Sequence, residues 1–465
     1  MITLKASQIA QIINGALVGD DIDISAPSAI NSAAVSKGGI FFALVGEKSD
    51  GHDFVADAFS HGALLAVTSK TVAQRHIQVS DVSQALATLA KFIREELKDL
   101  KVIGITGSQG KTTTKDLLKH LLSGQGNTVA PAGNYNNELG VPLTLLQCDR
   151  STKYAIIEMG ARHSGDIAHL ASIARPDLAV VLRVGMAHIG EFGSIETIAK
   201  TKSELVSSLS PSGIAILGQY DLFTPAMASL HAGKTITFGS GHDSDVRATE
   251  IEMREGRPHF DLVTPEGRVA VGLQLIGEHQ ISNALACAAV ATALEIPLDS
   301  IASALSTAII ESKWRMEIHE FSDVLLINDS YNASPDAMEA ALRTLTLFAQ
   351  ERGGRSWAFV GKMAELGESS AHAHSQVGTL ALTLGIDHLV CVDAPEYAPA
   401  QDAKGETALH FCDQGGAEEV ASQIEAGDVI LVKASRSERF EILAEKIEQV
   451  VREHLGQSET EGDRQ

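Results

Sequence analysis

The chain has 465 residues, too many for one ordinary hydrophobic core, and at about 150 residues per domain it calls for roughly three. A composition of 44% hydrophobic and 21% charged residues is that of a globular protein and excludes disordered and fibrous classes. Acidic residues number 59 against 37 basic ones, and a net charge of -22 repels a phosphate backbone, which argues against nucleic acid as a partner.

In chain order, residues 1–81 read as a small α/β segment with a strand at 40–45 followed by a polar loop. Its opening MITLKASQIAQIING lacks the continuous apolar run of a signal peptide. Asp81 is placed to cap a helix whose apolar positions 82, 86, 89, 93 and 97 share one face, and the first domain boundary is set there. From 101 to about 312 strand and helix patterns alternate, with strands expected at 102–105, 154–157, 178–182 and 214–217. That alternation implies a mainly parallel sheet with crossover helices. After Lys313-Trp-Arg315 the alternation resumes, with strands at 324–327, 358–360, 389–392 and 429–432 and a closing helix before a frayed tail at 458–465. The expected architecture is α/β in three domains, 1–81, 82–312 and 313–465, the last one Rossmann-like. The longest apolar stretch, 285–294, is too short to span a membrane. Four scattered cysteines (148, 287, 391, 412) form no C-x-x-C pair and fit a reducing compartment, so a cytoplasmic protein without membrane insertion is expected.

The chemistry concentrates after the strand at 102–105. There TGSQGKTTT runs into a helix, the strand–loop–helix context that a phosphate site requires. Gly107 and Gly110 let the amides of Ser108, Gln109 and their neighbours approach a phosphate. Lys111 reaches the terminal phosphates, Thr112 offers a hydroxyl to magnesium, and Thr113 follows on the helix N-terminus. The long spelling G-x-x-x-x-G-K-[ST] is not met, since Ile stands at 105. Glu158, at the end of the neighbouring strand, is a carboxylate suited to the same metal. His188 lies beyond another strand end, and Lys202 on the following helix. Taken alone, a single histidine is ordinarily structural and a helical lysine ordinarily solvated. No N/TKxD guanine reader occurs, and a 150-residue C-terminal α/β segment suggests a second substrate brought to ATP, the layout of a ligase.

The strings TGSQGKTTT, EMGARHSGDI, AHIGEFGS, AKTKSE, GEHQISNALA, KWRME, NDSYNASPDAM and LVKASRS occur in the order found in Mur ligases, and the chain resembles that family from about Ala29 to its last helix. GNYNNELGVP at 133–142, DSYNASP at 329–335 and MAELG at 363–367 resemble the branch that adds D-alanyl-D-alanine. The resemblance implies an ATP-dependent, ADP-forming ligase of peptidoglycan precursor synthesis, probing two substrates: UDP-N-acetylmuramoyl-tripeptide, whose carboxylate is activated as an acyl phosphate, and D-Ala-D-Ala, whose amine attacks it. It further implies a monomer in which segment 1–81 binds the UDP-sugar and 313–465 the dipeptide. It implies two magnesium ions, one on Thr112 and Glu158, the other on His188 and a carbamylated Lys202, with Lys200 as a competitor for that modification. Asn283, with His279 near it, would read adenine, and Arg315 and Asp329 would reach phosphate and ribose. Ser32, Asn134, Asn136, Asn137 and Asn332 would contact substrate, and Lys433, Ser435 and Arg436 would receive a peptide carboxylate. The chain departs from the family at Asn31-Ser32-Ala33, where Asp-Ser-Arg is usual, and at Arg183 and Lys362.

Overall fold

The computed structural model describes residues 1–131, 133, 135–310, 312–400, 403 and 405–462, with side chains described as far as 456. Two compact units divide the chain, the first comprising 1–182, 199–238 and 286–296, the second 183–198, 239–285 and 297–465.

The first unit holds a two-stranded antiparallel pair, Leu4–Lys5 with Asp23–Ile24, and two larger sheets. Near the N-terminus the order is Ala16–Val18, His76–Gln78, Leu65–Thr68, Ile40–Phe42 and Ser28–Ala29, parallel except at the first pair. Asp81 caps the helix Val82–Glu96 as its position predicts, its side chain accepting from Gln84 N at 2.9 Å. That helix buries Leu86, Leu89 and Ile93 in one core with the helices Gly140–Leu145 and Asp166–Ala174. The second sheet runs parallel in the order Lys234–Gly239, Ile214–Gly218, Leu178–Val181, Lys101–Thr106, Tyr154–Glu158 and Thr128–Val129. Its inner strands are buried on both faces, which is why they read as unbroken apolar runs. Strand Lys101–Thr106 lies between strands that follow it in sequence on either side, so its carboxyl end opens at a point where the winding direction reverses.

In the second unit the strict strand–helix alternation expected up to 312 gives way to an antiparallel meander, Val246–Arg254, Arg257–Thr264 and Gly267–Gly272. Its first turn, Glu255-Gly256, has φ of 50° and 68°, the left-handed pair that joins antiparallel strands with matching twist. The C-terminal sheet has the order Glu317–Phe321, Val324–Asn328, Val429–Lys433, Ser356–Val360, His388–Val392 and Ala408–Cys412, parallel after its first, antiparallel pair. Asp428 ties the starts of Ser356–Val360 and Val429–Lys433: it accepts from Arg355, from the indole of buried Trp357 at 2.9 Å and from Glu425 N. The closing helix is Phe440–Gly462, so the expected tail at 458–465 falls partly on residues outside the description. Among the described residues no helix is long and apolar enough to cross a membrane.

Candidate active site

The glycine loop leaves the carboxyl end of strand Lys101–Thr106 and turns directly into helix Lys111–Ser123. Two backbone positions make the turn possible. Gly110 caps the helix at φ 80°, a conformation that costs a side chain about 1 kcal/mol or more. At Gly107, φ is 155° and a β-carbon would lie 2.9 Å from that of Leu182. Lys111 folds back over the loop, its Nζ donating to Gly107 O at 2.7 Å. Ser108, Thr112 and Thr113 are buried beside it.

Glu158 ends the adjacent strand, its Cα paired with that of Ile105, and is only 1% exposed. Its Oε2 accepts from the Thr112 hydroxyl at 3.0 Å and its Oε1 from the Asn136 amide at 2.8 Å. Both partners are neutral, and no lysine or arginine among the described residues pairs with it. A buried carboxylate satisfied only by neutral donors fits a bound cation, and with Thr112 it offers the oxygen ligands that magnesium takes. Lys202 lies 7% exposed on the helix Ile195–Ser207. Burial, and secondarily repulsion from Lys111, lowers its amine to about 7. Its helix is fixed on both sides of the lysine: Thr201 shares a hydroxyl contact of 3.1 Å with Ser164, and Glu204 accepts from Gly165 N and Ala168 N. The competitor Lys200 is exposed. Among the described residues no cluster of three His, Cys, Asp or Glu side chains stands ready for a metal, so a site here needs the hydroxyl and lysine as well.

The segment 133–142 meets this site through Asn136, whose carbonyl also accepts from Gly160 N at 2.8 Å. Asn137 is exposed, and its side chain accepts from the N–H of Gly140, the first residue of the helix that follows. Asn134 lies outside the described residues. Sequence reasoning did not single out Lys115, which is buried, pairs with Asp116 at 2.9 Å and donates to Pro131 O and Gly133 O. Its signal was its position one helical turn after Lys111. Ser32 is buried in a short turn capped by Asn31, whose Oδ1 accepts from Ala33 N.

The remaining candidates belong to the second unit. His188 has φ 63°, and its Nδ1 pairs with the carboxylate of Glu365. Asn283 is buried and donates to Gln280 Oε1 at 2.8 Å. Burial lowers the pKa of His279, with Asp329 acting in the opposite direction and Lys433 adding to the lowering. Buried Lys433 pairs with Asp329 and donates to Asn332 O at 2.9 Å. Asp329 also accepts from Met316 N, and Arg315 stacks on Tyr331 with its guanidinium 3.9 Å from the ring centre. Ser435 accepts from Ala364 N at 2.8 Å, while Arg436 is exposed, lies over Trp314 and pairs with Glu441. Asp329, Asn332, Lys433, Ser435 and Arg436 are thus gathered where two C-terminal strands end.

Strand, glycine loop and helix, with a buried acid and hydroxyl at the loop, define a phosphate-loop nucleotide-using enzyme. Comparison with known proteins narrows that class. The Mur ligase middle domain matches residues 105–291, the Mur ligase glutamate ligase domain 314–436, and the Mur ligase family catalytic domain 29–94. The chain belongs to the Mur ligase family. It is 38% identical over 493 residues to the UDP-N-acetylmuramoyl-tripeptide--D-alanyl-D-alanine ligase of Mycobacterium tuberculosis, covering 94% of this chain and 96% of that one. Among solved structures it resembles MurF from Acinetobacter baumannii, with a TM-score of 0.86 at 34% identity over 96% of this chain and 99% of the other. It also resembles MurF from Thermotoga maritima in complex with ADP, with a TM-score of 0.78 at 30% identity over 93% and 98% of the two chains.

Proposed function

We propose that this chain is the ATP-dependent ligase that joins D-alanyl-D-alanine to UDP-N-acetylmuramoyl-tripeptide in peptidoglycan precursor synthesis, acting as a cytoplasmic monomer. The observation that carries the reading is Glu158, a buried carboxylate held by Thr112 and Asn136 beside the phosphate loop. Its relatives in Mycobacterium and Acinetobacter supply the substrate class.

The glycine loop amides and Lys111 bind and orient the ATP phosphates, and their fixed positive charge favours the transition state over the ground state. The terminal carboxylate of the tripeptide attacks the γ-phosphorus, ADP leaves, and an acyl phosphate remains. The dipeptide amine then adds to the acyl carbon, the resulting tetrahedral species loses phosphate and the nitrogen loses its proton, leaving the new amide. Thr112 and Glu158 would hold one magnesium ion, and His188 and Lys202 a second; bound there, the ions offset charge between two anionic reactants. A lysine lowered to about 7 has an unprotonated fraction at neutral pH that can add carbon dioxide, giving a carbamate that is an anionic oxygen ligand. Asn283, Arg315 and Asp329 would serve the nucleotide, Ser32, Asn134, Asn136, Asn137 and Asn332 the peptide substrate, and Lys433, Ser435 and Arg436 the dipeptide carboxylate. Domains 1–81, 82–312 and 313–465 would take the UDP-sugar, ATP and dipeptide in turn.

The test is ADP release by the purified chain with UDP-N-acetylmuramoyl-tripeptide. Turnover should require D-Ala-D-Ala and fall at least 100-fold, roughly 3 kcal/mol of barrier, in Lys111→Ala and in Glu158→Ala. Turnover without the dipeptide, or unchanged in both variants, would overturn the proposal.

A further inference from the structure

The segment 363–367 identified a branch of the family without acquiring a job of its own. In the structure it is held more tightly than a connecting loop requires. Met363 N donates to the buried His374 Nε2 at 2.9 Å, and His374 is itself fixed by Nδ1 donating to Ser370 O. Ala364 N donates to the Ser435 hydroxyl, and Ser435 N returns a bond to Lys362 O at 3.0 Å. The loop is therefore bolted to the strand end that carries Lys433, Ser435 and Arg436.

Its other side meets His188. Gly190 N donates to Glu365 O at 3.0 Å, and Ile189 packs on the core beneath. A β-carbon on Gly190 would come within 2.5 Å of Gly367 N, so the approach depends on that glycine. Glu365 itself adopts φ 62°, an unfavourable conformation for a side-chain-bearing residue, and in it the carboxylate reaches His188 Nδ1. A histidine bonded through Nδ1 to a carboxylate has its tautomer fixed and presents Nε2 to a ligand, with raised basicity.

We infer that Glu365 is a positioning residue for His188: it fixes the imidazole tautomer and direction and links the strand end at 433–436 to a metal ligand. The inference rests on the role proposed above for His188. Two consequences follow. Removing the carboxylate weakens metal binding without touching the phosphate loop. Removing it in a protein that lacks the histidine changes nothing further.

The experiment uses the full chain as wild type, Glu365→Gln, His188→Ala and the double variant. Binding of Mn2+ in the presence of ADP, followed by the electron paramagnetic resonance of the free ion, should weaken ten- to a hundred-fold in Glu365→Gln, similarly in His188→Ala, and no further in the double variant. Independently, the ring nitrogen signals that His188→Ala removes from the 15N-histidine spectrum of the metal-free protein should report an Nδ1–H tautomer in the wild type and a shifted mixture in Glu365→Gln. Weakened Mn2+ binding in His188→Ala with unchanged binding and unchanged ring signals in Glu365→Gln would overturn the inference while leaving the histidine's role intact. Unchanged Mn2+ binding in His188→Ala would instead remove the metal role from His188, and this inference with it, whatever the spectrum shows.

Discussion

Lys202 makes a prediction that runs against the usual cost of altering an active-site residue. Its amine is lowered from the ordinary 10.5 to about 7, chiefly by burial and then by Lys111. Between these values the unfolded chain binds a proton that the folded chain does not, so folding is opposed and stability rises with pH. Below pH 7 both states are protonated and the penalty is complete; above about 10.5 neither is, and it vanishes. At about 1.4 kcal/mol per unit, the difference between 10.5 and about 7 amounts to roughly 5 kcal/mol below neutral pH and roughly 4 kcal/mol at pH 7. Lys202→Met keeps the length of the side chain and removes the charge. In metal-free, carbon-dioxide-depleted buffer it should melt later than wild type, by on the order of 10 °C at pH 7 for the cooperative unit that contains it. The gap should narrow by about 1.4 kcal/mol per unit as pH rises toward 10. The same variant should show no ligase turnover. Differential scanning fluorimetry across pH 6–10 reads both protein forms in parallel. A variant no more stable than wild type, or a gap independent of pH, would refute the reasoning that burial weakens proton binding by this amine.

Two further predictions concern the loop and the C-terminal strand end. Gly110→Ala forces a side chain into φ 80° at the helix cap and should cost about 1 kcal/mol of stability and at least ten-fold in ADP affinity by calorimetry, with the dipeptide affinity unchanged. Lys433→Met leaves Asp329 without its buried partner and should destabilise the protein by about 3–5 kcal/mol in urea denaturation, whereas Lys433→Met with Asp329→Leu should recover most of that loss.

The inner parallel strands were legible because both faces are buried and each appears as a short apolar run such as Val102–Ile105 or Val429–Val432, whereas partly exposed ones such as Thr128–Val129 and Ala408–Cys412 were not. Boundaries moved by a residue or two, as at Lys101–Thr106 and His388–Val392, while the strand expected at 40–45 ends at Phe42. The meander at 246–272 escaped because only one of its faces is buried: Arg257–Thr264 alternates strictly between buried and partly exposed residues, a period-two pattern interrupted by charge. Glu255-Gly256 carried the turn signal, but a glutamate at φ 50° is a weaker cue than asparagine or aspartate at that place. Within the site, the phosphate loop was readable since its function is local, written in consecutive residues whose backbone conformation only glycine tolerates. Pairs were not. His188 and Glu365 stand 177 positions apart and Asp329 and Lys433 104 apart, and nothing in either segment names its partner.

Asn136 shows what such pairing adds and how it can be tested. The resemblance implied substrate contacts for these amides, yet Asn136 donates to Glu158 Oε1 at 2.8 Å while Asn137 accepts from Gly140 N. If Asn136 acts through Glu158, Asn136→Ala leaves a nearly inaccessible carboxylate oxygen without its donor, at about 1–3 kcal/mol of stability. It should also raise the magnesium concentration for half-maximal turnover about ten-fold, with the KM for the UDP-tripeptide at saturating magnesium little changed. Asn136→Asp should do worse, because it sets a second carboxylate at hydrogen-bonding distance from the first and one of the two must take up a proton. The contact with substrate that the sequence suggests gives the opposite split: KM for the peptide rises and the magnesium requirement stays. Measuring both constants in both variants decides between the roles, since Asn136 donates directly to the carboxylate that would hold the cation.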